Sequence, residues 1–300
     1  MTDKYSQNAA QQRTYQAFTV LMMDDKDEID LAQAALLIAS VAYPDLDPIP
    51  SLTQLDALAR RVKELLSLSE TDNLAALLEA ENDISPLTVI TAINQVLFEE
   101  EHFHGNKEDY SNPKNSFLNK VLEERRGLPI MLSVLYMEIG KRIGIQIDGM
   151  GFPYHFMVRY HWPEGNIYID PFSEGLILNE QECMQRLQTI TRHHAPLHPR
   201  WLEPVTHKQI LIRILNNLKG IYINKSDFEH ALAISDLILL LLPHSGIEQR
   251  DRGFLHLELK HYGKAIKDLI AYLESNPEAS DRYEIRKHIK GIKQTIAQLN

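Results

Sequence analysis

The sequence predicts an α+β protein in which helical segments precede and follow, along the chain, a region that forms a small sheet. Three observations support this fold class. Apolar residues recur at helical spacing before and after the middle of the chain. In the middle, one helical segment is followed by two alternating runs that are joined by a turn. Near the C-terminus the helical pattern repeats with a fixed period, which indicates stacked helix pairs.

The N-terminal region is predicted to be helical after a short tail. Residues 1–14 are rich in Gln, Asn and Ala and are expected to form a flexible tail. From Tyr15 to Glu101 the apolar spacing is helical, and Asp30 is predicted to cap one of these helices. Residues 15–200 are expected to form the first domain, which includes the central sheet.

The central unit is predicted to be a helix followed by a hairpin. Gly144 just after the helix, with Lys141 and Arg142 in its last turn, marks the helical C-terminus. The extended runs cover residues 156–160 and 167–169, with turn residues between them. The apolar face of the helix, which predicts an amphipathic helix, comprises Leu132, Leu135, Tyr136, Ile139 and Ile143.

Two polar residues lie at the ends of this hairpin. His155 opens the first extended run and Asp170 closes the second. Pairing of the runs would bring the two side chains close together on neighbouring strands. An Asp beside a His is the orienting half of a nucleophile–base–orienter triad. The nucleophile is expected at the N-terminus of the packed helix, where the dipole lowers a thiol pKa.

This helix and hairpin resemble the transglutaminase/papain-like core, in which G-x-C opens the helix, H-x-W opens one strand and D-P-T ends the next. The matching stretches are 127–129, 155–157 and 170–172. More narrowly, R-R-G-L-P-I, H-F-M-V-R and D-P-F are similar to the SirB-type transglutaminase-core subfamily of bacterial proteins. The resemblance implies a helix packed on a small antiparallel sheet, C-terminal tetratricopeptide-like helices, and His155 and Asp170 as the catalytic pair.

The nucleophile position departs from the family pattern. Pro129 stands where the Cys is expected, and a proline cannot form a thioester. The single cysteine, Cys183, lies beyond the Asp and is predicted to be a small buried hydrophobe. Ser133 is the nearest hydroxyl, one helical turn inside the expected site. His155 and Asp170 are therefore interpreted as remains of a catalytic site, as part of a binding pocket, or as a structural hydrogen bond.

Several other residues are candidates for binding. Arg125 and Arg126 suit an anion-binding pair near a helix N-terminus, or salt bridges to Glu123, Glu124 or an upstream helix. Histidine pairs and clusters lack a third ligand of suitable spacing, so no metal site and no cofactor are predicted. Those histidines are His102, His104, His193, His194 and His198. The full set of candidate binding residues is Arg125, Arg126, Ser133, Tyr154 and Tyr222.

Residues 205–300 are predicted to form a second domain, which contains an internal repeat. Three positions recur 34 residues later (262 − 228): Phe228 as Tyr262, Ala231 as Ala265 and Pro243 as Pro277. This period resembles tetratricopeptide repeats, with residues 282–299 as a helical cap. Two repeats are fewer than an independent solenoid needs, so they are expected to pack on the core. They would offer a concave surface to a partner, or only brace the domain.

Composition narrows the partner class. The 300 residues carry a net charge of −10 with a pI near 5.7, which argues against a nucleic-acid or membrane partner. A single cysteine permits no internal disulfide, as is typical of the cytoplasm. We see no apolar signal segment and no apolar run long enough to span a bilayer. The expected protein is therefore cytoplasmic.

Together these patterns predict a non-catalytic, transglutaminase-like pseudoenzyme that acts as a protein-interaction or regulatory module. An unidentified protein or peptide would bind the helical repeats or the core cleft. Two alternatives stay open: a thiol-independent hydrolase or acyltransferase that uses His155 and Asp170, and a structural scaffold. An open cleft at His155 would favour the enzyme. A site covered by side chains such as Phe152 and Tyr154 would count against it.

Overall fold

The computed structural model divides the chain into two compact units. The described residues are 2–23, 29–69, 71–79, 84–191 and 199–299. The core unit comprises residues 29–39 and 45–214, and the repeat unit comprises residues 2–23, 40–44 and 215–299. The sequence predicts a boundary at residues 200–205, whereas the contacts divide the chain at residue 214.

Helices dominate both units, and the strands lie in the core unit. The helices are α1 (Thr2–Met23), α2 (Leu31–Ala39), α3 (Ile49–Leu65), α4 (Leu74–Glu79), α5 (Pro86–Asn94), α6 (Leu118–Glu124), α7 (Pro129–Ile143), α8 (Glu180–Thr191), α9 (His207–Asn224), α10 (Phe228–Leu241), α11 (Gly246–Glu258), α12 (Tyr262–Ser275) and α13 (Arg282–Leu299). The strands are β1 (His104–Gly105), β2 (Arg126–Gly127), β3 (Ile147–Phe152), β4 (His155–Trp162), β5 (Gly165–Asp170) and β6 (Leu176–Leu178). The predicted α+β class is confirmed.

The N-terminal segment is helical. Residues 2–14, where the sequence predicts a flexible tail, lie in the first part of α1. Within the repeat unit α1 contacts α10, and Phe18 of α1 is fully buried. Burial of an aromatic ring against a second helix stabilises a helix that short-range propensity alone would leave marginal.

Helix α7 is the centre of the core unit. It begins at Pro129 and ends at Ile143, and the next residue, Gly144, caps it with a φ of +93°, which suits a glycine at a helical C-terminus. The predicted end is therefore confirmed, but the predicted amphipathic character is wrong, because all residues from Pro129 to Gly140 are buried. The reason is that α7 contacts β3 and β4 as well as α2, α3 and α6. A helix enclosed in this way needs apolar residues around most of its circumference.

The main sheet has four antiparallel strands in the order β3-β4-β5-β6. The predicted hairpin is β4 and β5, in which Val158 pairs with Ile169 and Trp162 pairs with Gly165. The alternating run places Val158 and Ile169 in the core, where both are fully buried. A separate parallel pair is formed by β1 and β2, and β2 lies just before the start of α7 in the sequence.

The repeat unit shows the predicted 34-residue period in its backbone. Helices α10 and α12 each have 14 residues and begin at the matching aromatics, Phe228 and Tyr262. The preceding turns also match, since Ser226 and Lys260 have φ values of +57° and +59°. Helix α13 covers the predicted capping segment. Two helix pairs and a terminal helix are therefore present as predicted.

Candidate functional site

The structure brings the two predicted polar residues together. His155 is the first residue of β4 and Asp170 is the last residue of β5. Nε2 of His155 lies 3.0 Å from Oδ2 of Asp170. Nε2 has no hydrogen-bond partner of good geometry among the described residues. The contact is therefore a short polar contact rather than a well-formed hydrogen bond.

The Asp170 carboxylate is held mainly by other groups. It is fully buried, and its Oδ2 accepts a hydrogen bond from Nε of Arg186 at 2.7 Å. Its Oδ1 accepts from the backbone N–H of Phe172 at 3.1 Å. Burial acts to raise the pKa of Asp170, but His155 and Arg186 outweigh it and hold the pKa below its ordinary value. Asp170 is therefore a charged acceptor that joins α8 to the end of β5.

The Phe172 ring packs against the histidine. Its centroid lies 6.0 Å from that of the His155 ring, at 82°, and 6.2 Å from that of the Tyr110 ring. The ring also rests on Gly105, because a Cβ at Gly105 would lie 2.5 Å from two Phe172 ring carbons. The lack of a side chain at Gly105 therefore lets Phe172 occupy the space beside His155.

The His155–Asp170 pair is closed to solvent. His155 is 5% exposed and Asp170 is 0% exposed. Tyr154 is 77% exposed, at the turn between β3 and β4, with a φ of +62°. Phe152 belongs to the buried cluster under α8. The ring in contact with His155 is that of Phe172, which the sequence analysis did not single out.

The start of α7 offers no nucleophile. Pro129 is its first residue and is buried, and Leu128 at the cap makes no side-chain hydrogen bond. Ser133 lies one turn further along, is 0% exposed, and its Oγ has no hydrogen-bond partner among the described residues. Neither residue presents an activated group to His155.

The only thiol in the chain is enclosed on another helix. Cys183 lies on α8 in a buried apolar cluster with Met150, Phe152 and Met157. Burial, aided by the nearby negative charge of Asp170, raises the pKa of the thiol to about 12. Cys183 is therefore a neutral buried residue at neutral pH, in agreement with the expectation from sequence.

The two predicted arginines form salt bridges. Arg125 contacts Glu101 at 2.5 Å and lies over the Phe103 ring, 4.8 Å from its centroid. Arg126 contacts Glu124 at 3.1 Å. These contacts correspond to the salt-bridge alternative, with the upstream partner being Glu101. Each guanidinium group therefore contacts a different carboxylate.

The last candidate lies in the repeat unit. Tyr222 is 5% exposed and stacks on His230, with ring centroids 4.9 Å apart. Burial, with nearby Asp227 and Tyr43, raises the pKa of its hydroxyl. A ring enclosed in this way contributes to helix packing and has little surface for a ligand.

Two further expectations bear on ligands and membranes. In the part of the chain that the structure describes, no three His, Cys, Asp or Glu side chains come close enough to hold a metal ion. His102 and His104 are exposed, while His193, His194 and His198 lie outside the described residues. None of the helices in the described ranges is long and apolar enough to cross a membrane.

Comparison with known proteins assigns both units. A model of the transglutaminase-like superfamily matches residues 50–216, and a tetratricopeptide-repeat model matches residues 218–290. A UPF0162 protein of Xylella fastidiosa (strain Temecula1) is 35% identical over 268 residues, which cover 88% of this chain and 90% of that protein. This chain belongs to the UPF0162 family.

Other similar proteins match shorter stretches. Protein SirB1 of Salmonella typhimurium is 28% identical over 177 residues, which cover 59% of the UPF0162 chain and 65% of SirB1. F-box only protein 21 of Mus musculus is 37% identical over 141 residues, which cover 43% of this chain and 21% of that protein. A menin crystal structure aligns with a TM-score of 0.37 at 11% identity over 91% of this chain and 73% of that chain. That score is too low to support a statement about fold or function.

Two residues of this UPF0162 site had no clear signal in the sequence. Arg186 reaches Asp170 from α8, and no local pattern in the sequence predicts the orientation of that helix. Phe172 replaces the Thr of the D-P-T motif, and its contact with His155 depends on the open space at Gly105, far away in sequence.

Proposed function

We propose that this UPF0162 chain is a non-catalytic, transglutaminase-like protein that acts in the cytoplasm as a protein-interaction or regulatory module. The observation that carries the proposal is the combination of Pro129 at the start of α7 with the burial of His155. His155 is only 5% exposed, and its ring packs against Phe172. Acyl transfer through a thioester needs a nucleophile within reach of the base. Hydrolysis by His155 as a general base needs a water molecule at the ring, which the closed site does not favour.

The repeat unit offers a surface for a protein segment. A groove of about 690 Å³ lies between α13 and the α11–α12 pair, with both charged and apolar side chains along it. Gly291 of α13 lies in this groove, and a Cβ there would meet nothing within 4 Å. The residues that line the groove are Leu257, Glu258, Lys260, Tyr262, Glu284, Lys287, His288, Gly291, Ile292 and Thr295. Such mixed lining suits a peptide or partner segment better than a small apolar ligand.

The absence of catalysis is tested by an acyl-transfer assay. Wild type and His155→Ala are incubated with a glutamine-containing peptide and a primary amine, and product is measured by mass spectrometry. We expect both proteins to give only the background rate, because the start of α7 has no thiol to accept the acyl group and Cys183 is buried on another helix. A rate above background that disappears in His155→Ala would contradict the proposal and support the enzymatic alternative.

The interaction surface is tested by filling the groove. Gly291→Leu places a side chain in open space on an exposed helix face, so the helix should be retained. Gly220→Leu is the matched control, since Gly220 lies in α9 outside the groove and also has open space around it. In affinity capture from native cell lysate, we expect a partner that is held by wild type and Gly220→Leu and lost by Gly291→Leu. Equal capture by all three would move the interaction away from this groove.

A further inference from the structure

Arg213, on the first half of α9, is held beside the β3–β4 hairpin of the core unit. Its Nη2 donates a hydrogen bond to the carbonyl oxygen of His155 at 2.7 Å. Its guanidinium carbon lies over the Phe156 ring, 5.4 Å from the centroid. A Cβ at Gly151 would lie 3.5 Å from Nη1, so the glycine leaves that nitrogen uncovered on one side. The hairpin therefore fixes the guanidinium without enclosing it.

Within the described ranges, the charge of Arg213 has no carboxylate partner. Its one hydrogen-bond acceptor there is the His155 carbonyl oxygen. Burial lowers the pKa of Arg213, and only the Tyr110 hydroxyl opposes that effect. By contrast, six other arginines of the core unit each contact a carboxylate: Arg61, Arg125, Arg126, Arg142, Arg159 and Arg186. A half-buried guanidinium with four of its five donors unused can take an external anion.

Two tyrosines at the His155 end of the hairpin have exposed side chains, and one of them, Tyr110, packs against the Phe172 ring beside His155. Tyr110 is 46% exposed, and burial of the remainder raises the pKa of its hydroxyl. The hydroxyl therefore keeps its proton at neutral pH and can donate a hydrogen bond. Tyr154, next in sequence to the His155 carbonyl that holds Arg213, is 77% exposed. A ligand can therefore approach the guanidinium across a partly apolar rim.

We propose that Arg213 and Tyr110 form an oxyanion-binding site on the core unit, which takes a carboxylate or a phosphate group. The planar guanidinium presents paired donors that match two oxygens of either group, and the tyrosine hydroxyl supplies a third donor. The site is separate from the groove of the repeat unit, and it does not depend on the interaction function proposed above.

The test uses the full chain and simple anions. The protein is titrated with sodium phosphate and, separately, with sodium acetate, against sodium chloride at matched ionic strength. Binding is followed through the NMR shifts of the backbone amides of residues 151, 152 and 154–156, in the hairpin that holds Arg213. We expect saturable shifts with at least one of the two anions. Saturation by phosphate alone identifies a phosphate-type ligand, and saturation by acetate alone identifies a carboxylate-type ligand.

Four variants decide whether Arg213 is responsible. Arg213→Gln should weaken binding at least about tenfold, the effect of losing hydrogen bonds to a charged group. Tyr110→Phe should weaken it less, and Arg126→Gln, which changes an exposed arginine that already has a carboxylate partner, should leave it unchanged. If Arg213→Gln does not fold, Arg213→Lys keeps the charge but removes the paired donors and should still bind more weakly. Absence of saturable shifts in wild type, or unchanged affinity in the Arg213 variant that folds, would overturn the proposal.

Discussion

Replacement of Asp170 by asparagine tests whether the His155–Asp170 pair is a structural element. The carboxylate is 0% exposed and accepts hydrogen bonds from Arg186 and from the backbone of Phe172. Asparagine keeps the shape and one acceptor oxygen but removes the charge that faces Arg186 and His155. Breaking a buried ion pair lowers the free energy of unfolding by about 3–5 kcal/mol. Because asparagine keeps one acceptor oxygen, we expect Asp170→Asn to cost about 3 kcal/mol, at the lower end of that range.

The assay is urea unfolding followed by tryptophan fluorescence. The two tryptophans of the chain, Trp162 and Trp201, both belong to the core unit, so the signal reports on the unit that contains Asp170. Asp56→Asn is the matched control, because Asp56 contacts Arg142 at 2.8 Å but has a side chain that is 60% exposed. The same substitution there should cost no more than about 1 kcal/mol.

The effect should also depend on pH with a definite sign. Because the pKa of Asp170 is lowered in the fold, its charge stabilises the protein fully above the ordinary Asp pKa of about 3.9. That contribution is lost as the pH falls through the lowered pKa. The difference in unfolding free energy between wild type and Asp170→Asn should therefore be largest near neutral pH and narrow below about pH 4. A difference no larger than that of Asp56→Asn at neutral pH would refute the structural role.

Two further outcomes follow from the closed site. Gly105→Ala would place a methyl group 2.5 Å from the Phe172 ring, so it should cost about 1–3 kcal/mol and make His155 more reactive toward diethylpyrocarbonate, as read by mass spectrometry. The control Gly220→Ala, in open space on a helix, should stabilise by up to about 1 kcal/mol; an unchanged His155 reactivity in Gly105→Ala would show that Phe172 is not the barrier. Cys183, buried with a pKa of about 12, should react with Ellman's reagent only as fast as the protein opens, and rapid stoichiometric labelling of the native protein would contradict this.

The sequence was most informative where a local pattern sets the structure. The end of α7 followed from Gly144, and the β4–β5 hairpin followed from alternation around a turn. The repeat period was visible because equivalent turns need the same backbone, as Ser226 and Lys260 show with almost equal φ values. In each case the residues that determine the element lie within the element or directly beside it.

The sequence was least informative where distant segments decide the structure. Strand β3 was missed because Gly149 and Gly151 break the apolar alternation that marks a strand. In the structure a Cβ at Gly149 would lie 3.0 Å from both Ile210 and Phe156, so a close approach of α9 and β4 requires the glycine there. Only the packed structure reveals this requirement, and the same holds for the contact of Arg186 with Asp170.

The contacts of Asp170 give a physical reason for a His–Asp pair in a chain that has no thiol at the start of α7. The carboxylate caps the short turn Pro171–Ser173, and that turn carries the Phe172 ring that packs against His155. The same carboxylate holds Arg186, which also donates to Ser173 of the turn. The Asp170 carboxylate, which would orient the histidine in a triad, thus fixes the turn that holds the Phe172 ring against His155. Opening the site for chemistry would require Phe172 to leave its place on Gly105, and no side chain at the start of α7 would then accept an acyl group. We therefore interpret the His155–Asp170 pair as a determinant of the fold.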